Sequence, residues 1–460
     1  MTLPQDDTRP WRRRLAGLVA AAAAILLVAG PILAAGSTTT FLPALAKNYA
    51  AATATYQPGS SAALALGAGH ADASPHQLIR TNDDRAILFA GKMANNVVRV
   101  YRQVTTGLPT SPTEFSAGAT VTVPSGNVIA VDAAYDGVGL VYVVANTSNG
   151  GIYLMPYEVG SGQFRATLTL ASDGGQLVNG SGLYAGTEGL AMALDFSGVL
   201  HVAYWTNGYR IRHCTYTYTN NQVSTCNPFT VDAGGAQATH PAVAISPVDG
   251  ALTVAWQSDP TTNPGLNSRV LARRRGTDGS WGTIETVSTV PPYYGRGSNG
   301  NEINVDTGPS LLITTDGVRH LVFNQHFDAT GDYGRVIYVR NSGSGWVTTS
   351  LNWYSHASVI ASGSGGRLAI IGHGGSKSTN AVDACKNNRN MCYSILPAGG
   401  SWGQAQLFAQ YSGDLSYDGS PSAKWSAVGH YRPETIEFAY FSIRDSTGYF
   451  APTLHYGRLP

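Results

Sequence analysis

The chain has 460 residues, ample for a large core. Only 12% are charged and the formal net charge is +1, so nothing in the composition points to nucleic acid or another polyanion as partner. Gly is abundant at 54, and Thr, Ser, Asn and Tyr are frequent, the composition of a turn-rich all-β protein.

Arg9, Arg12, Arg13 and Arg14 precede an apolar run from Leu15 to Ala35 that closes on small residues. A basic segment, an apolar core and a small-residue end mark residues 1–35 as a secretory signal peptide. The run is also long enough to remain as a membrane anchor, a tether through residues 15–35. Pro31 favours cleavage. Residues 36–60 are rich in Ala, Thr and Ser and read as a linker. Either reading places the remaining residues, 61–460, outside the cytoplasm, secreted or on the cell surface.

From residue 61 onward the sequence falls into units of four short strands, best seen from Thr239 to Ser288. There Pro241 to Ser246 is apolar and Pro247-Val248-Asp249-Gly250 is a turn. Ala251 to Gln257 is a second run, and Arg269 to Arg275 and Trp281 to Ser288 flank the turn Thr277 to Ser280. Seven units fit this template, beginning near Pro75, Asn127, Glu188, Thr239, Gly308, His356 and Pro421. Asp136-Gly137, Asp249-Gly250 and Asp316-Gly317 recur at one offset, each before an alternating apolar strand. A four-stranded sheet cannot bury both faces alone, and a repeat of about fifty residues signals stacked copies. The expected fold is a seven-bladed β-propeller, with a six-bladed ring and an irregular first unit as the alternative. The last unit supplies only three strands. Ser61 to Gly67 is apolar and precedes the first inner strand, so Ala62 to Leu66 is expected to pair with Thr453 to Gly457 and complete the final blade.

Four Cys is an even count, as expected of disulfides in an exported chain. The local pairing joins Cys214 to Cys226 and Cys385 to Cys392, the latter across a long loop of the sixth unit. No CxxC and no His at ligand spacing calls for a metal, and no motif calls for a cofactor.

The repeat shape resembles the sialidase-like (BNR-repeat) propeller superfamily from about Pro75 to Pro460. The complete Asp-box is absent: Thr277-Asp278-Gly279-Ser280-Trp281 keeps its Asp, Gly and Trp at a different spacing. The Arg-Ile-Pro motif of sialidases is absent too, which counts against sialic-acid hydrolysis.

Strand direction alternates within a blade, so the loops after second and fourth strands share one face. The long segments fall there, including Ser172 to Thr187, Ser258 to Ser268, Thr289 to Thr307, His326 to Tyr333 and Gly374 to Asn390. Insertions on one face of a repeat protein mark the binding face. Candidate ligand contacts on it are Glu188, His240, Asp306, His326, Tyr333, Arg335, Trp353 and Tyr354, with the aromatic rings as stacking platforms for sugars. Trp205, Gln257 and Gln325 end second strands on the same face. His201 and His320 recur at one strand position and read as structural, and Arg273 to Arg275 as a solvated strand. His356 and His373 begin and end neighbouring strands of one unit, which brings two groups that titrate near neutrality to one place. That pair is similar to the arrangement in propeller polysaccharide lyases such as those acting on ulvan. The similarity implies a His or Tyr that removes the proton alpha to a uronate carboxylate, and a basic residue that neutralises it. Tyr333, Tyr354 or Tyr411 would be the phenol, Arg335 or Arg432 the cation. A hydrolase would instead need two facing carboxylates, for which Glu188, Glu302, Asp306, Asp328 and Asp332 are available. The sequence thus leaves three readings open: a module binding extracellular glycan or polysaccharide, a glycan-active enzyme, and a structural surface protein. Binding is preferred because no complete catalytic set appears.

Overall fold

Inner strands are covered on both faces by neighbouring blades, so they are rich in apolar residues and a polar one among them is bonded: Asp132 accepts from Ala133 N at 2.7 Å and from Met192 N at 2.6 Å. Val128–Tyr135 is buried at every position, whereas the outer strand Phe115–Thr122 is mostly open to solvent. The computed structural model describes residues 62–68, 76–92, 96–175, 189–260, 269–290, 308–325, 334–355, 358–363, 366–375, 378–386, 390–410, 435–444 and 450–459. All belong to one compact unit, Ala52–Pro460. Residues 1–60, which carry the expected leader and linker, lie outside the described residues. Among the described residues no helix is long and apolar enough to cross a membrane.

Blade 1 comprises His76–Arg80, Ala86–Lys92, Val97–Gln103 and Phe115–Thr122, each antiparallel to the next. Blade 2 comprises Val128–Tyr135, Leu140–Thr147, Ile152–Glu158 and Leu168–Ala171, with the short Gln163–Phe164. Blade 3 comprises Leu190–Leu194, Val199–Trp205 and Ile211–Thr219, edged by Gln222–Val223 and Phe229–Thr230. Blade 4 comprises Ala236–Ile245, Leu252–Pro260, Arg269–Arg275 and Trp281–Ser288. Blade 5 comprises Ser310–Ile313, Arg319–Gln325, Gly334–Asn341 and Trp346–Ser355. Blade 6 comprises Ser358–Ser362, Leu368–His373, Asn390–Leu396 and Gln406–Gln410. A closing sheet holds Ile436–Arg444, Phe450–Leu459 and Ala62–Ala68.

The seven-bladed expectation is therefore corrected to six complete blades and one three-stranded sheet among the described residues. The segment expected to supply that sheet's inner strand, after Pro421, lies outside them. The N-terminal pairing is as expected: Ala62 faces Arg458, Leu64 faces Tyr456 and Ala68 faces Thr453. Both disulfides join the expected partners, with Cα–Cα separations of 5.8 Å for Cys214–Cys226 and 6.0 Å for Cys385–Cys392.

The cores lie between sheets. Phe89 and Val100 of blade 1 meet Val131, Val143 and Met155 of blade 2. Val254 and Trp256 of blade 4 meet Ala203 and Ile211 of blade 3. Phe323 and Ile337 of blade 5 meet Val270 and Val287 of blade 4. Trp353 and Val336 meet Ile370 and Cys392 of blade 6, and Phe438 and Tyr440 meet Ile371 and Met391. Leu78 and Leu88 meet Leu454 and Tyr456, which returns the series to its start. Each such aliphatic or aromatic side chain contributes about 1.5–3 kcal/mol on burial, so neighbouring blades stabilise one another and none stands alone.

Candidate functional site

The turn between first and second strands fixes the register of everything after it. Asp136 accepts three backbone N–H groups through Oδ1, from Val138, Gly139 and Leu140, and Asp195 accepts two, from Ser197 and Val199. Gly198, Gly250, Gly317 and Gly366 adopt positive φ there. Seven residues beyond Gly139, Gly198, Gly250, Gly317 and Gly366 stand Asn146, Trp205, Gln257, Asn324 and His373, at the long-loop end of each second strand. These positions hold the chain where it passes to the next blade. The Asn146 amide donates to Gly175 O at 3.2 Å, and the Asn324 amide donates to Ser355 O at 2.8 Å. Trp205 O accepts from Gly175 N at 2.6 Å.

The passage from blade 5 to blade 6 gathers four of the expected site residues. Arg335 lies opposite Tyr354 on neighbouring strands. Its Nη2 and Nε donate to the Tyr354 phenol oxygen at 2.9 and 3.3 Å, with the guanidinium carbon 5.5 Å from the ring centre. Trp353 Nε1 donates to His373 O at 3.0 Å, and His373 N donates to Ser355 Oγ at 2.8 Å. Ser378 Oγ accepts from Tyr354 N at 3.0 Å. The segment around the Cys385–Cys392 bond holds this corner from outside: Gly375 N donates to Cys385 O, and Thr379 N and Asn380 N both donate to Asn352 O. Asn352 has φ 55, an uncommon conformation for any residue but glycine, at the point where the strand turns Trp353 inward.

One expectation changes here. Trp353 and Tyr354 are 1% and 6% exposed, so neither is an open platform for a sugar ring. The bonds to Ser378 and His373 bury both under blade 6. The partly exposed member is Arg335, oriented by the Tyr354 phenol. His240 stands apart, in a bulge of the first strand of blade 4, with φ 52 and Nδ1 2.9 Å from Thr239 Oγ1. Burial pushes its pKa down to about 4, so it is neutral at pH 7. Glu188, Asp306, His326, Tyr333 and His356 lie outside the described residues, and so does the expected contact between His356 and His373.

Sequence reasoning missed Asn324, Ser355, Ser378 and Gly375. It placed Gln325 with His326 at the ring position that Asn324 occupies. Counting from the turn glycine, the offset shared by Trp205, Gln257 and His373, identifies Asn324 directly. His201 and His320 behave as expected. His201 bridges His213 Nε2 at 3.1 Å and Asp195 Oδ2 at 3.3 Å, and His320 bonds Tyr338 at 2.7 Å and Thr314 at 3.1 Å. Among the described residues no group of three or more His, Cys, Asp or Glu is placed to hold a metal ion.

No family model matches the sequence, and no curated protein matches it. Solved structures do match. The BP39L lectin from Burkholderia pseudomallei is 13% identical with a TM-score of 0.54, over 85% of this chain and 96% of that one. The polysaccharide lyase Uly1 is 10% identical with a TM-score of 0.41, over 88% and 94%. The β-propeller domain of Cps50 (Swd1) from Myceliophteria thermophila is 9% identical with a TM-score of 0.44, over 86% and 98%. At such identities only fold is at issue, and the two scores below 0.5 carry no argument. The chain is a β-propeller.

Proposed function

We propose that this is an extracytoplasmic propeller that binds extracellular carbohydrate on its long-loop face, with Arg335 at the centre of the contact. The observation that carries the reading is the Arg335–Tyr354 pair. A cation is held by a phenol at the mouth of a blade junction, oriented before any ligand arrives. A guanidinium fork suits the paired oxygens of a sugar carboxylate or a vicinal diol. Glycan outside the cell also agrees with two disulfides and with the lectin fold neighbour. In this reading residues 1–35 direct export or tether the chain to a membrane, and the sialidase-like likeness is one of architecture.

Binding of a uronate hexasaccharide and a neutral hexasaccharide to the whole chain, measured by calorimetry, tests this. Arg335→Gln removes a charged donor, which is worth about tenfold or more in affinity. Affinities unchanged by Arg335→Gln would remove Arg335 from the site. A second reading, uronate lyase chemistry, would use Arg335 to neutralise the carboxylate, but among the described residues it lacks a base at this corner: the expected catalytic His373 is 1% exposed, and the buried Tyr354 phenol is bonded to Arg335. Ultraviolet absorbance of the unsaturated product decides between the two.

A further inference from the structure

A second group on the long-loop face lies apart from the Arg335 corner and joins Trp205, one of the expected second-strand ends, to residues of the turn after it. Trp205 ends the second strand of blade 3, and Tyr209 lies in the turn that follows. Their rings stack with centres 5.7 Å apart and planes 28° apart. Both are partly exposed. Gly175 lies so close over the indole that an added Cβ would meet Trp205 Cε2 at 2.4 Å, which fixes the indole from the side of the chain entering blade 3.

Tyr209 is held in place by backbone. Its N donates to Thr206 O at 2.8 Å, its O accepts from Ala238 N at 2.9 Å, and Thr206 N donates to Arg210 O at 2.9 Å. Its φ is 54, the left-handed region, in a turn that also offers Asn207 and Gly208. Those residue types suit that region, and a tyrosine there is unfavourable for the fold. A half-exposed aromatic kept where stability disfavours it points to function.

Arg210 follows. Its Nε donates to Asp232 Oδ2 at 2.6 Å, and Asp232 is itself buried and held by Ile211 N at 2.8 Å and Gly234 N at 3.0 Å. The guanidinium is thereby anchored at one edge only. The side chain stays 39% exposed, and its two terminal nitrogens make no hydrogen bond among the described residues. Gly234, at φ 79, leaves room beside them: a Cβ there would lie 3.0 Å from both.

We propose that Tyr209, backed by Trp205, and Arg210 form a second carbohydrate subsite, taking a pyranose ring on the outer face of Tyr209 with two adjacent oxygens on the Arg210 fork. Those oxygens belong to a ring carboxylate or to a vicinal diol. The proposal rests on the reading of the long-loop face as carbohydrate-binding and adds a point of contact on another blade. Apolar ring faces stack on aromatic side chains, and a preset fork of donors loses little freedom on binding.

The test is calorimetry of the whole chain with the uronate and neutral hexasaccharides, using Tyr209→Gly, Arg210→Gln and Arg335→Gln. Tyr209→Gly relieves the left-handed strain, so its Tm equals or exceeds that of the parent while affinity falls about tenfold. A purely structural Tyr209 would give the reverse pattern. Arg210→Gln lowers affinity for the uronate alone if the oxygens are a carboxylate, and for both saccharides if they are a diol. Parent-like affinity in both blade 3 variants, with loss in Arg335→Gln, overturns this subsite and leaves the Arg335 reading standing. Loss in Tyr209→Gly with parent-like Arg335→Gln does the opposite. No binding of either saccharide to the parent overturns both.

Discussion

A few residues decide local geometry out of proportion to their size. Gly375 is one. An added Cβ would meet Tyr354 O at 2.6 Å and the Tyr354 carbonyl carbon at 2.9 Å, and backbone there cannot swing aside. Gly375→Ala is expected to cost about 1–3 kcal/mol and to weaken Arg335-dependent binding with it. Gly160, where a Cβ meets nothing within 4 Å, is the control, and Gly160→Ala should leave the Tm unchanged. The buried imidazoles set a pH dependence at the same scale. Burial pushes His213 down to about 3, and His320 and His455 to about 4, from 6.5. The unfolded chain then binds more protons than the folded one between these values. Their stabilisation is complete above pH 6.5 and is lost as pH falls through that window. Calorimetric Tm should be flat from about pH 7 to 8 and decline from about 6.5 to 4. A flat Tm across the lower range would mean these histidines are not buried neutral.

At the scale of strands and loops, the two disulfides separate stability from function. Each closes a short loop, 12 and 7 residues apart in sequence, worth about 2–3 kcal/mol in the chain-entropy account. Replacing Cys385 and Cys392 by Ser should lower both Tm and saccharide affinity, because the clipped segment holds Gly375 and Asn352 at the Arg335 corner. Replacing Cys214 and Cys226 should lower Tm and leave Arg335-dependent affinity unchanged. Equal losses of affinity in the two double variants would remove the disulfide segment from the site. Strands were legible in the sequence where local chemistry repeats. Asp at the turn captures backbone N–H groups, the following Gly takes positive φ, and the next strand begins at a fixed offset. A second repeat was equally legible and went unused. Phe115, Trp281 and Trp346 begin outer strands, Phe164 ends the short strand Gln163–Phe164, and Trp402 lies just before an outer strand. All five reach to the preceding sheet, as Trp281 does to His213 at 5.2 Å, Trp402 to Tyr338 at 5.0 Å and Phe115 to Tyr456 at 5.7 Å. Trp346 does so by donating to Glu285 at 2.7 Å. The site was less legible, because a one-residue slip reverses a strand's faces. Gln325 and Asn324 differ by that slip. Contacts such as Ser378 on Tyr354 join residues with no shared pattern, which only the folded loop brings together.

At the scale of the molecule, closure depends on residues far apart in the chain. Ala62–Ala68 completes the sheet of Phe450–Leu459, and Arg80 of blade 1 forms a buried ion pair with Glu437 of the closing sheet, to which Tyr456 also donates. A buried pair of this kind costs several kcal/mol if one partner is removed. Deleting residues 1–67 should lower the Tm by several degrees, whereas deleting residues 1–50 should not. Equal melting of the two truncated chains would show that the strand adds nothing. Since closure joins residues almost four hundred positions apart, loop-closure entropy also predicts slow folding with populated open-ring intermediates.

The same ladder has a mechanical meaning. Ala62 faces Arg458 and Ala68 faces Thr453, so the start of Ala62–Ala68 and the end of Phe450–Leu459 lie at the same end of the sheet. A force applied between them peels the ladder from that end, one hydrogen bond after another, instead of shearing all of them together. The ring should therefore open at low force and in small steps when held at residues 61 and 460. It should resist more when held across two neighbouring blades. Single-molecule pulling from the two attachment geometries would register the difference, and one abrupt high-force rupture from 61 and 460 would contradict it. A propeller strung between two such points would behave as a latch, released by tension long before its blades come apart.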